Sequence, residues 1–250
     1  MKSTPYVESR DIASLEDCYF YHTIDLPGHG LIKGEWDLRP GLDAYLGHYD
    51  FAGKRVLDVG AASGILSFFA EQKGAEVVSF DLSENEPWDV VPLARTDWAS
   101  IETGRRQLMR LINNGYWYSH RALKSNARAV YGVVYDIPQS IGAVDVAIYG
   151  SILLHLRDPF LALQNGARLA REAIIVTDVC PTGAFGKPLK TPQFLPNHRH
   201  AEPWDAWWKL PPNLVQEFLA ILGFEHSTVT WHDQLHNGQK MRLYTIVARR

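Results

Sequence analysis

Lys54-Arg55-Val56-Leu57-Asp58-Val59-Gly60-Ala61-Ala62-Ser63-Gly64-Ile65-Leu66-Ser67-Phe68-Phe69-Ala70 is the stretch on which the reading of this chain turns. Lys54 to Val59 is a short β-branched run that stops at a glycine, the pattern of a strand entering a tight turn. Ile65 to Ala70 opens a helix, and Gly74 closes it just past its end. A strand, a turn of small residues and a helix let part of a ligand press against the backbone, because side chains there do not hold it off.

The same alternation continues on both sides. Glu76-Val77-Val78-Ser79-Phe80, Ala129 to Val134, Val144 to Tyr149 and Ala173 to Thr177 read as further strands, with helical stretches between them. Near-continuous apolar strands separated by helices are the mark of a parallel sheet buried on both faces. Pro211-Pro212 open a later helix in which Val215, Phe218, Leu219 and Leu222 share a face and Gly223 ends it. Two last strands, at about 224–231 and 242–248, complete the set as an antiparallel edge. The expected fold is α/β, doubly wound, with a mostly parallel seven-stranded sheet. One domain is expected over 1–250: an N-terminal cap at 1–50, a ligand-binding core at 51–180, a long loop at 181–209, and a terminal helix and hairpin at 210–250.

The chain has 250 residues, of which 46% are hydrophobic and 21% charged, with a formal net charge of -3. That composition suits a globular domain with a full core and excludes collagen, coiled coil and disorder. No global basic field recruits nucleic acid. Cys18 and Cys180 are the only cysteines, too few for a disulfide framework. Met1 to Tyr6 lead into Glu8, Arg10 and Asp11 without an apolar leader, so no secretory signal is read. The most apolar run, Val146 to Leu154, is nine residues long and too short to span a bilayer. The expectation is a cytoplasmic protein without membrane partners.

The turn also says which ligand it suits. A dinucleotide fold asks for G-x-G-x-x-G with the helix N-terminus on a pyrophosphate. Here Ala62 takes the second glycine position, and the carboxylate of Asp58 would repel a pyrophosphate. The pair argues against NAD and for a nucleoside that carries an amino acid. Asp81 ends the second strand, 21 positions after Gly60, where a carboxylate can accept both hydrogen bonds of a ribose diol. Tyr135-Asp136-Ile137 ends the third, with Asp136 placed to accept from an exocyclic adenine amine beside Ile137.

Asp58-Val59-Gly60-Ala61-Ala62-Ser63-Gly64, Asp81 and Tyr135-Asp136 together resemble the cofactor motifs of class I S-adenosylmethionine (SAM)-dependent methyltransferases, over roughly residues 50–250. The resemblance implies a Rossmann-like methyltransferase fold and SAM as cofactor. It places Asp58, Gly60, Ala61, Ala62 and Gly64 at the methionine portion, Asp81 and Leu82 at the ribose side, and Tyr135, Asp136, Ile137 and Tyr149 around the rest. The implied reaction is methyl transfer to a small or medium-sized acceptor, leaving S-adenosylhomocysteine (SAH). A finer likeness, in Tyr149 to Pro159 and in Leu210-Pro211-Pro212 with Leu222-Gly223-Phe224, is to enzymes that modify the wobble uridine of transfer RNA. Those that use carboxylated SAM carry a tyrosine before the histidine, where this chain has Leu154; Arg242 is the cation that would meet the extra carboxylate. Ordinary methyl transfer is the expectation, with transfer RNA as the alternative acceptor.

His155 is the candidate general base, weighed against a histidine packed after the fourth strand and bonded to backbone. His198-Arg199-His200 and His232/His236 lack an accompanying carboxylate motif, so they read as surface loop histidines and no metal site is expected. Arg121, Lys124 and Arg128, with Arg105, Arg106 and Arg110 upstream, read as a solvated helix face. Trp36 and Trp204 are the candidate substrate-side aromatics. With Trp88 just beyond Asp81, and Trp207 and Trp208 in the long loop, they either form a lid or stacking platform for the acceptor or pack the cap onto the core. Trp204, Trp207 and Trp208 share one side of a helix if Pro203 starts one. A non-catalytic SAM-binding protein and an NAD-dependent oxidoreductase are the readings from other classes.

Overall fold

The computed structural model describes residues 4–182, 188–200 and 204–250. Met1 to Ser3 and Pro203, the expected helix start, lie outside them. The strands are β1 (Ile24–Leu26), β2 (Gly30–Ile32), β3 (Trp36–Asp37), β4 (Arg55–Val59), β5 (Glu76–Asp81), β6 (Arg128–Tyr131), β7 (Val144–Gly150), β8 (Ala170–Val179), β9 (Gln193–Phe194), β10 (Trp208–Lys209), β11 (His226–His236) and β12 (Gln239–Arg249). The helices are α1 (Leu42–Tyr45), α2 (Ile65–Gln72), α3 (Trp98–Leu123), α4 (Pro159–Ala167) and α5 (Pro212–Ile221).

Eight strands form the main sheet in the order β3-β11-β12-β8-β7-β4-β5-β6. From β8 to β6 every pair is parallel, and β12 runs antiparallel to both β8 and β11. The expected parallel core is therefore present. The sheet gains an eighth strand because Trp36–Asp37 of the cap pairs with Leu235–His236. The last hairpin forms the expected antiparallel edge, with β12 against β8 and β11 outside it, flanked only by the two-residue β3.

Alternate side chains of the central strands feed two cores. Val56, Val77, Val146, Ile148 and Ile175 pack with α2, the second half of α3 and the cap. Leu57, Val59, Ala147, Tyr149, Ile174 and Val176 pack with α4 and α5 on the other face. Sequence order reverses at β4, which has β5 on one side and β7 on the other. Ligands of open α/β sheets bind in the crevice that such a reversal leaves at the carboxyl ends of the strands.

Three local readings differ. β6 ends at Tyr131 because Gly132 breaks it, and Val134 to Asp136 form a 3-10 turn. Trp204, Trp207 and Trp208 do not share a helix: Trp208 lies in β10, paired with Phe194 of β9. The arginines do not share one solvated face. Arg128 is on β6 and bonds Glu76, Arg106 pairs with Glu102, Arg121 bonds the carbonyl of Ile12, and Arg105 is buried. Arg105 belongs inside because it shares its helix face with Leu108, Met109 and Ile112.

Candidate active site

A cavity of ≈ 460 Å³ opens at the carboxyl ends of β4, β5, β6 and β7, within the size range of small-molecule sites. Its floor holds Val59, Gly60, Ala62, Asp81 and Leu82; Gly132 to Tyr135 and Gly150 to Ile152 flank it. Tyr19, Tyr21, His22, Glu35 and Trp36 of the cap close one side. Trp88, Asp89, Arg105, His155, Trp204 and Asp205 close another.

The floor is shaped by left-handed backbone, which glycine adopts freely and a residue with a Cβ only under strain. Gly60, Ala62 and Gly64 have φ of 81°, 48° and 91°, the left-handed region. A Cβ at Gly60 would sit 2.7 Å from the side chain of Ile152. The left-handed Ala62 is held by Asp81, which accepts from the Ala62 amide at 2.5 Å through one oxygen and from the Leu82 amide at 2.7 Å through the other. Burial pushes the Asp81 carboxyl up to about 6, against the pull of those two amides.

Asp58 lies behind the floor. It is fully buried and accepts from the Ser67 hydroxyl at 2.6 Å; Ser67 also bonds Ser79, which accepts from Tyr116. The network joins β4, α2, β5 and α3. The second Asp58 oxygen has no partner among the described residues, and burial raises this carboxyl to about 7.

His155 lines the cavity, and its Nδ1 bonds the backbone carbonyl of Asp205. Nδ1 must be the donor, so the neutral ring keeps its lone pair on Nε2. Burial lowers its pKa below the usual histidine value, so it is neutral near pH 7. The sequence set a packed histidine against a base at the cavity, and this residue is both bonded to backbone and open to the cavity.

The structure thus brings Gly60, Ala62, Asp81, Leu82, Tyr135, His155, Trp36 and Trp204 to one cavity. Other expected residues stand away from it. Ala61 is buried, and Gly64 sits under Phe68 and Tyr116. Tyr149 is fully buried and donates to the carbonyl of Ala162. Ile137 is in the core and Asp136 is exposed, because the early end of β6 puts both beyond the wall. Arg242 pairs with Asp233 of the neighbouring strand at 3.1 Å. His232 is not a surface loop histidine: it is buried on β11 between Thr245 and Gln234. Among the described residues no cluster of three or more His, Cys, Asp or Glu is placed to hold a metal, and no helix is long and apolar enough to cross a membrane.

Sequence reasoning missed Arg105, His22, Glu35, Asp89 and Asp205. Arg105 alone left a signal, the apolar residues at i+3, i+4 and i+7. The others reach the cavity through pairings distant in sequence.

No family model matches the chain. Two curated relatives do, both ubiquinone biosynthesis O-methyltransferases. That of Azoarcus sp. (strain BH72) is 56% identical over 43 residues, 17% of this chain and 18% of the relative. That of Stutzerimonas stutzeri (strain A1501) is 27% identical over 124 residues, 50% of this chain and 43% of the relative. The match thus spans less than half the length of either. Among solved structures, the N-terminal domain of EvdMO1 with SAH and D-fucose matches with a TM-score of 0.53 at 18% identity, covering 94% of this chain and 92% of the other. The 1,6-didemethyltoxoflavin-N1-methyltransferase of Burkholderia thailandensis matches at 0.52 and 19%, covering 85% and 77%. Magnesium protoporphyrin IX methyltransferase from Synechocystis PCC 6803 matches at 0.52 and 14%, covering 84% and 81%. At these identities the likeness is one of fold: the chain has the Rossmann-like fold of the SAM-dependent methyltransferases.

Proposed function

We propose that this chain is a SAM-dependent methyltransferase that acts on a small or medium-sized acceptor and releases SAH. One observation carries the reading: a cavity at the sheet's switch point joins the left-handed Gly60–Ala62 turn and the Asp81 carboxylate to an aromatic wall. The residues fit the cofactor. Side-chain bulk is missing where its chain would lie against Gly60, and each Asp81 oxygen keeps a lone pair free for a ribose hydroxyl. The three solved neighbours were crystallised with SAH, which supports the same assignment. Their acceptors differ, so none is carried over.

Bound SAM supplies a methyl group on a sulfonium, transferred in line to a nucleophile. The chain's own work is to align the two and keep water out. Gly60, Ala62, Asp81, Leu82 and Tyr135 would hold the cofactor. Trp36 and the other cap aromatics, with Trp204 opposite, enclose the acceptor. His155 Nε2 takes the proton that a hydroxyl or amine nucleophile sheds as its bond to the methyl carbon forms. Of the basic residues read as one face, Arg106, Arg121 and Arg128 pair with Glu102, Asp11 and Glu76 and Arg105 is buried, and no observation favours a transfer RNA acceptor. A cytoplasmic site of action fits this reading.

Calorimetric titration with SAM, SAH and NADH tests the proposal. The expected result is micromolar binding of the first two and none of NADH. Silence of folded, ligand-free protein toward both SAM and SAH would refute it.

A further inference from the structure

Arg105 stands on the first half of α3 and lines the cavity with Leu108, Met109 and Ile112. Its guanidinium lies between two indoles, 3.3 Å from the ring centroid of Trp88 and 3.9 Å from that of Trp204. The rings cover the faces of the guanidinium and leave its edge, where the N–H groups point. That edge is unspent. Nε and Nη1 are buried without an acceptor among the described residues. Among the described residues the nearest carboxylate is Asp205, 3.7 Å from Nη2 and beyond hydrogen-bond distance, and it is 44% exposed against 9% for Arg105 itself. A buried cation with idle donors weakens a folded protein unless a ligand uses it.

The rest of the cavity's charge is accounted for. Asp81 accepts from two amides, Asp89 from the Arg157 amide and the Tyr135 hydroxyl, and Glu35 from the Tyr19 hydroxyl. Among the described lining residues Arg105 is the one lysine or arginine. An anion in this cavity has one place to go. Asp205 also ties that place to the proposed base, since its carbonyl accepts from His155 while its carboxylate faces Arg105.

We propose that Arg105 binds an oxyanion of the methyl acceptor, a carboxylate or phosphate on an otherwise apolar, ring-sized molecule. The two indoles hold the guanidinium in plane and present its edge to both oxygens of such a group, a geometry that lysine does not offer. The rings and the Leu108–Met109 wall cover the apolar body, and the nucleophile falls on the His155 side. This rests on the methyltransferase reading above.

The test uses three probes on the whole chain, with and without saturating SAH: 3,4-dihydroxybenzoate, phenyl phosphate and neutral methyl 3,4-dihydroxybenzoate. Binding is read by calorimetry and by quenching of tryptophan fluorescence. Wild type should bind at least one of the two anions about tenfold more tightly than the ester, the weight of one charge-assisted hydrogen bond. Which anion wins separates carboxylate from phosphate. Arg105→Met should lose that preference while its SAH affinity stays within about twofold. Arg105→Lys, which keeps a charge in the core, should lose most of it and serves if the methionine variant does not fold. Equal binding of anions and ester by wild type, or no binding of any probe, would overturn the proposal. So would a loss of SAH affinity in Arg105→Met, since the guanidinium would then serve the cofactor's own carboxylate. Anion preference read without SAH stands even if SAH fails to bind, so failure of the cofactor reading and failure of this one are told apart.

Discussion

The carboxylate of Asp81 fixes the Ala62 and Leu82 amides before any ligand arrives. From sequence alone, Asp81→Ala costs only the ribose hydrogen bonds. The structure adds a second loss, because two amides beneath the cavity also lose their acceptor. SAM or SAH binding should weaken by about 2 kcal/mol, roughly 30-fold, and folding stability should fall by about 1–3 kcal/mol, since an orphaned buried donor carries its full desolvation cost. Asp81→Asn separates the two losses: it keeps an oxygen for one amide, so it should recover part of the stability and little of the affinity. Calorimetry and thermal unfolding of both variants read this. Unchanged affinity in Asp81→Ala would remove Asp81 from the ligand site. The ionised form is also the better acceptor, and the carboxyl titrates at about 6, so wild-type affinity should fall as pH drops below that value.

Elements were legible where burial repeats along the chain. β4, β5, β7 and β8 are apolar runs with helices between them, and the Asp81 strand end follows from them directly. What was hidden lies in pairings across long separations. The cap is the clearest case: the segment around Tyr19 to His22 lies against Gly34 to Trp36, and Trp36 then joins β11. No local periodicity marks that arrangement, yet it supplies a wall of the cavity. Its tolerance is small. A Cβ on Gly34 would meet the backbone carbon of His22 at 2.4 Å and the carbonyl oxygen of Phe20 at 2.6 Å, and backbone cannot swing aside as a side-chain tip can. Gly34→Ala should therefore destabilise the chain by about 1–3 kcal/mol, the usual cost of overpacking, and should weaken ligand binding through displaced His22 and Trp36. Gly104 in α3 is the counter-case, with nothing within 4 Å of its added Cβ. Gly104→Ala should stabilise by about 0.5–1 kcal/mol, because a helix interior is where glycine's backbone freedom costs most. Thermal unfolding of the two variants side by side reads opposite signs; a loss of stability in both would mean that packing at these sites is not what decides.

Across the whole molecule, buried titratable groups set how stability depends on pH. Burial raises Asp58 and Asp178 to about 7 and Asp81 to about 6. It lowers His22 to about 3 and His232 to about 4, and lowers His155 as well. A carboxyl whose folded pKa is raised holds its proton longer in the folded state. Its contribution is complete below the unfolded value near 4 and is lost as pH rises toward 7. A histidine whose folded pKa is lowered acts in the opposite sense, since the unfolded chain takes up a proton below about 6.5 and draws stability away as pH falls. The two groups oppose each other and largely cancel between about pH 4 and 6.5. Above that only the carboxyls still titrate, so the ligand-free protein should lose stability as pH rises from about 6.5 through 7. Asp178 isolates one side of that balance. It is buried and accepts from the Val179 amide through one oxygen, and among the described residues the other has no partner. Asparagine can keep the amide bond and carries no proton to lose. Asp178→Asn should thus gain stability relative to wild type as pH rises from 5 to 8, by about 3 kcal/mol for a carboxyl that ionises near 7. Paired thermal unfolding curves at the two pH values measure the gain. If the two proteins keep a constant difference between pH 5 and 8, Asp178 does not titrate in that range, and the balance must be drawn from Asp58, Asp81 and the histidines alone.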